Sequence, residues 1–239
     1  MKQRHVILLF ASLLTSCQAV YLPNIRNSPL FSKKGEVQGV AAVGINGLDI
    51  QAATAVTNHI AVLASYAYLD RAVTFLPYES HAWYYEGGLG YYKNFNKTCL
   101  EIFAGYGTGQ GNSQTRDPGP GLGTSQMPSG PVAGTYNKIF LQPSFGFKQR
   151  MFQFVFTFRL SSVNFTRFIY IDKPLTPSWV LYIEPALTGK MNFWNNHAFC
   201  FIQLGFNVAP TKSDWQSADR YSRYLDMSTG VGFRLGGVK

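Results

Sequence analysis

Residues 150–162 read RMFQFVFTFRLSS, with Phe152, Phe154, Phe156, Phe158 and Leu160 on every second position and Gln153, Val155, Thr157, Arg159 and Ser161 between them. Alternate side chains of a strand leave opposite faces. One face here is therefore almost pure phenylalanine and the other mostly polar. Either the core of a soluble sandwich or lipid can take such an apolar face, and the rest of the chain has to separate the two.

The N-terminal MKQRHVILLFASLLTSC places Lys2 and Arg4 before the apolar run Val6–Leu14, with small residues leading into Cys17. This is the layout of an export signal. Its core is shorter than the roughly 20 residues a membrane-spanning helix needs. Leu14-Thr15-Ser16-Cys17 resembles a lipobox, whose cysteine becomes the acylated first residue of a lipoprotein. The organisation expected is a signal peptide over 1–16, a lipidated periplasmic tether over 17–35 and a barrel over 36–239. No acidic run follows Cys17, so the acyl chains are expected in a periplasm-facing leaflet. No cofactor is expected beyond this lipid.

Composition fits an all-β domain, with charged residues at 14%, aromatics at 15% and 23 glycines spread along the chain. That balance suits neither disorder nor a helical bundle. The formal charge of +9 falls to +7 when Lys2 and Arg4 leave with the signal, and the remaining charges form no stripe of the kind nucleic acid requires. Strand phase points Cys99 and Cys200 to opposite sides of the wall, so both are expected as free thiols.

Period-two alternation recurs about ten times. It predicts strands at 36–45, 48–57, 60–69, 81–93, 98–108, 135–147, 151–163, 179–190, 197–208 and 223–236. Asn46-Gly47 signals a type I′ hairpin. Residues 18–35 read as irregular, broken by Pro23, Asn27 and Pro29. From the second strand onward, short connections at 58–59, 94–97, 148–150 and 191–196 alternate with long ones at 70–80, 109–133, 164–178 and 209–222. Outer-membrane barrels have this asymmetry, with short periplasmic turns and long external loops. Tyr66, Tyr68, Trp83, Tyr85, Tyr106 and Trp179 fall at the long-loop ends of the apolar face, as an interfacial girdle would. The reading is an antiparallel up-and-down transmembrane β-barrel of about ten strands in the bacterial outer membrane, its lipidated N-terminus on the periplasmic side.

Pro23, Asn27, Pro29-Leu30 and Gly35-Glu36, then Gly44, Gly47-Leu48-Asp49, Gln51, Ala53 and Ala55-Val56-Thr57, resemble the small outer-membrane β-barrel lipoproteins of Bacteroidota. These residues cover about the first fifth of the mature chain. The resemblance implies a barrel with a lipidated N-terminus and supplies no reaction. Gly230, Gly232, Phe233 and Leu235 resemble the last-strand signal of barrel assembly, although Lys239 and not an aromatic ends the chain.

No HxxxH or CxxC spacing joins His59, His81 and His197, so no metal site is expected. The glycine run at 105–111 lacks the Lys-Ser/Thr and the helix of a phosphate loop. Glu79-Ser80-His81 lies in the rim zone where a lipid-modifying enzyme could keep a nucleophile and base. Adjacent strand residues diverge, however, and a triad must converge. Inward Glu36, Asp49, Glu86, Glu101, Lys138, Arg159, Glu184, Lys190 and Arg234 carry both signs and are expected to pair across a narrow lumen; a narrow channel is the alternative. Trp215, Arg220, Tyr221, Arg223 and Tyr224 offer a loop surface for a partner, and Lys93, Lys97, Lys148, Arg150 and Lys190 a basic periplasmic cluster. The expectation is a non-enzymatic barrel that contacts outer-membrane lipid and other envelope proteins.

Overall fold

The structure is a computed structural model that describes residues 20–72, 78–115, 130–175, 178–210 and 222–236. Its strands are β1 (Val37–Gly44), β2 (Gly47–Ala55), β3 (Ile60–Ala72), β4 (Tyr78–Phe95), β5 (Thr98–Thr115), β6 (Val132–Lys148), β7 (Phe152–Tyr170), β8 (Lys173–Leu175), β9 (Ser178–Phe193), β10 (Ala198–Phe206) and β11 (Leu225–Leu235). Each pairs antiparallel with its neighbour in the wall, and the seam closes by pairing of β1 with β11. The three-residue β8 pairs with the end of β7 in the lane that β9 otherwise fills, so the wall has ten staves. Closure gives each of the ten staves a partner on both sides, the condition for a sheet to stand in lipid.

Along β7 the phenylalanine face lies outside and the polar face inside. Phe154 and Phe156 are 56% and 53% exposed on the outside, while Val155, Thr157 and Arg159 are fully buried inside. The same phase holds around the barrel. Ile139, Leu141, Leu181, Leu187, Ile202, Leu204, Val231 and Phe233 are outward and exposed, whereas Gln142, Ser144, Glu184, Thr188, Gln203 and Ser228 are inward and buried. A soluble sandwich cannot leave this many large apolar residues uncovered. A transmembrane barrel requires them. Tyr66 pairs with Tyr85 and Tyr68 with Trp83 at the long-loop end, and the Trp83 and Tyr85 rings stack 5.7 Å apart. Exposed Tyr91 and Trp194 add aromatic residues at the opposite end.

Several strands run further than the sequence suggested. β4 and β5 have 18 residues each and β7 has 19, well beyond the roughly 9–11 that cross a bilayer. Residues 109–115 and 132–133, read as loop, are strand, because Gly109 and Gly111 pair with Tyr84 and Ala82. The Asn46-Gly47 turn also differs. Gly47 has φ +107°, while neither Ile45 nor Asn46 has positive φ, so the hairpin is not type I′. Asn46 turns its buried amide inward and donates to Pro23 O at 3.0 Å.

Cys99 is inward and buried, Cys200 lies on the outer face, and both are free thiols. The short turns use left-handed residues where asparagine tolerates them, at Asn96, Asn195 and Asn196.

Phe156→Arg should destabilise the folded barrel by about 2–4 kcal/mol, the cost of a cation on the lipid face near mid-membrane. Urea titration of folding into phospholipid vesicles reads this against Thr157→Ser, which changes an inward hydroxyl only slightly.

The filled lumen as candidate functional site

Residues 20–32 are the largest departure from the sequence reading. The irregular course is present, but it does not lie outside the barrel as a periplasmic tether: residues 20–31 run through the lumen and are buried. Val20 sits against Gly111 and Gly134, at the end where the long connections are. Leu30 sits against Gly146, at the short-turn end. The chain descends the lumen, reverses at Lys33–Gly35, and enters β1.

The wall holds this segment by its backbone. Four inward glutamines each donate a side-chain amide to a successive stretch of it: Gln51 to Ile25 O at 2.8 Å, Gln203 to Arg26 O at 3.1 Å, Gln142 to Asn27 O at 2.7 Å and Gln38 to Pro29 O at 2.6 Å. Glu101 accepts from Leu30 N at 2.7 Å, Gln203 from Arg26 N at 2.9 Å and Glu36 from Ser32 N at 2.8 Å. Lys190 donates to Ser28 O, and Lys148 to Leu30 O and Phe31 O. Ser28 Oγ joins Ser144 and Thr157. A buried segment without secondary structure has no other source of partners for its peptide groups.

The charges divide between the wall and the segment. Arg159 and Lys138 each lie 3.2 Å from Glu86, and Asn24 bridges Arg159 and Glu86, accepting from the first at 2.8 Å and donating to the second at 2.9 Å. Tyr21 donates to Glu184 at 2.6 Å. Arg26 forms an ion pair with Asp226 and stands 3.7 Å from Glu184. Arg234 donates to Gln153 and Asn192 and lies 3.9 Å from Glu36. Asp49 accepts from Ile25 N at 3.4 Å. Among the described residues, the buried carboxylates Glu36, Asp49, Glu86, Glu101, Glu184 and Asp226 face the buried cations Arg26, Lys138, Arg159, Lys190, Arg223 and Arg234, six against six.

All nine inward charges read from the sequence therefore lie inside. Among them and within the described residues, the ion pairs are Glu86 with Lys138 and Arg159, and the looser Glu36 with Arg234, which joins neighbouring chain at the β1–β11 seam and does not span the lumen. Glu101, Lys190 and Asp49 bond to the inserted backbone instead. Arg26, Asn24 and Asp226 complete the site and were missed as members of it.

Apolar side chains of the segment have matching sockets. Val20 and Tyr21 join Tyr136, Tyr182, Phe165 and Phe168 in a cluster across the long-loop mouth, with Tyr21 stacked on Tyr182 at 4.6 Å. Ile25 packs with Phe199 and Phe201, and Phe31 with Tyr92, Phe103 and Phe140. Two cavities along the segment, one beside Leu22 and Pro23 and one beside Arg26 and Ser28, are about 10 Å³ each, room for about one water.

Of the residues proposed as a partner surface, Trp215, Arg220 and Tyr221 lie outside the described residues, as does Cys17. Tyr224 is exposed, but Arg223 turns inward, donates to Ile45 O and sends its backbone N–H to Tyr21 O at 3.3 Å. It fastens the mouth and does not belong to an external surface. The basic cluster also divides: Lys190 is buried in the lumen and Lys148 is bound to the segment, while Lys93, Lys97 and Arg150 remain exposed. Ser80 faces inward, 3.0 Å from Ser113, whereas His81 faces outward, 2.7 Å from Asp70. The two do not converge.

The geometry defines a class: a closed transmembrane barrel whose lumen is filled by its own N-terminal segment. No protein-family model matches the chain, and no curated protein matches it. Among solved structures it is similar to the translocator domain of the autotransporter NalP from Neisseria meningitidis, at 11% identity over 84% of this chain and 86% of that one, with a TM-score of 0.42. It is also similar to a major outer membrane protein from Thermus thermophilus, at 9% identity over 84% and 100% of the two chains and a TM-score of 0.34.

Arg26→Ala leaves Glu184 and Asp226 buried without their cation and should cost roughly 3–5 kcal/mol, read as a lowered urea midpoint of the folded barrel. A methyl group at Gly111 would lie 2.3 Å from Val20 O, whereas one at Gly189 meets nothing closer than 3.8 Å. Gly111→Ala should therefore destabilise by about 1–3 kcal/mol and Gly189→Ala by less than about 0.5, in the same titration.

Proposed function

We propose that this protein is a non-enzymatic outer-membrane barrel lipoprotein that acts through its external loops or its outer wall, as a structural or accessory part of an envelope assembly, and not as a channel. The observation that carries the reading is the filled lumen: every residue from Tyr21 to Ser32 is tied to the wall through a hydrogen bond or a socketed side chain. Even Leu22 and Pro23 are held, the first packed on Leu69 and Ala82, the second accepting from Asn46. Such a lumen offers no path for solute. The apolar belt, the closed wall and the export signal together support the outer membrane as its location. The alternation of short and long connections supports the usual orientation, with the long ones outside. The lipobox at Cys17 supports acylation.

A sealed barrel in which Ser80 and His81 do not converge still keeps the connections at 116–129 and 211–221, which lie outside the described residues. Connections of this length in a compact domain are commonly functional. Trp215, Arg220 and Tyr221 have the aromatic and arginine character of contact surfaces.

Planar-bilayer recordings of the purified protein should show no steady, large conductance; sustained open channels would sink the sealed-lumen reading. Affinity purification from mild-detergent membranes, with and without residues 211–221, tests the partner. A companion protein should be recovered with the full chain and lost on the deletion, and a lone barrel in both samples would defeat the assembly role.

A further inference from the structure

We infer that the N-terminus of the mature chain leaves the barrel through the long-loop mouth, so that acyl chains on Cys17 enter the leaflet on that side, the outer leaflet of an outer membrane. The leaflet assignment rests on the lipoprotein reading and orientation proposed above. The exit itself rests on the course of residues 20–32.

Three observations carry it. The first is direction: Leu30 and Phe31 bond to Glu101 and Lys148 at the short-turn end, while Val20 and Tyr21 lie against Gly111 and Ser222 at the other. The second is reach. Three peptide steps separate Val20 from Cys17, and an extended chain advances at most about 3.6 Å per residue, so the chain between them spans at most about 11 Å from Val20, less than the return to the short-turn end. The third is occupancy. For Cys17 to return to the short-turn end, the chain would have to cross the lumen a second time. Among the described residues, the two cavities beside the segment are about 10 Å³ each, too small for a second strand of chain to pass there. The start of β1 and the end of β11, which lie together at the short-turn side, thus do not decide where the lipid goes. The segment before β1 carries the N-terminus to the opposite membrane face.

The test uses the full chain in a Gram-negative host, with a short epitope inserted between Gln18 and Ala19 and, separately, between Asn195 and Asn196 in an exposed short turn. Antibody should bind the first on intact cells as strongly as after outer-membrane permeabilisation, and the second only after permeabilisation. An N-terminal epitope silent on intact cells and revealed by permeabilisation would overturn the inference. Ala19→Cys in a Cys200→Ser background, probed with a membrane-impermeant maleimide, repeats the measurement without an insertion and reads with the same signs. Heat-modifiable gel mobility verifies that each variant is folded. Metabolic fatty-acid labelling of the wild type and of Cys17→Ser separates the two premises. Label present in the first and lost in the second supports the leaflet assignment. Label absent from both refutes the lipoprotein reading and the leaflet assignment with it, while a surface epitope would leave the exit standing.

Discussion

The structure depends on satisfying the backbone of a chain that has no secondary structure and lies inside a closed wall. Residues 24–32 do not bond to themselves in a regular pattern, and Pro23 and Pro29 prevent their joining the wall as an additional strand. Inside a membrane barrel each unpaired peptide group would cost several kcal/mol. Gln38, Gln51, Gln142 and Gln203 remove that cost by donating to four carbonyls of the segment, and Glu36, Glu101 and Gln203 accept from its amides. The wall's inward polarity is therefore a template for one particular backbone path.

Charge follows from the same arrangement. The wall around the segment carries more buried carboxylate than its own cations match, and Arg26 arrives on the segment to face Asp226 and Glu184. Apolar and polar contacts alternate down the lumen, from the aromatic cluster at the mouth through Ile25 to Phe31 near the base. Burial of this kind makes segment and wall mutually dependent: Glu101, Glu184 and Asp226 of the wall bond to the segment, and the segment's carbonyls bond to the wall. The segment is continuous with β1, and β1 closes the seam with β11.

The motif residues between positions 23 and 51 share one physical role. Pro23, Asn27, Pro29 and Leu30 lie on the inserted segment, Glu36 accepts from Ser32, and Asp49 and Gln51 hold Ile25. A short stretch of sequence pattern therefore coincides with the segment and the part of the wall that grips it.

Most of the wall was legible from the sequence alone, because strand side chains alternate and lipid sorts them: the phase of β7, set by Phe154 and Phe156 against Thr157 and Arg159, recurs around the barrel. Turn positions and the inward direction of nine charges followed from the same periodicity. The true ends of β4, β5 and β7 did not, since glycines at 109 and 111 look like loop until their pairing partners are known. The course of residues 20–32 was not legible either. The segment has no period to read, and its run from Val20 to Ser32 with Arg26 as its one charge was a hint only that it is too apolar for a free tether. Periodicity is local and reports which face a residue occupies; what fills the space enclosed by those faces depends on contacts between residues as far apart as Tyr21 and Glu184. Tertiary structure alone decided that the polar face of the barrel bonds to its own N-terminus, because only closure of the wall brings those partners within reach.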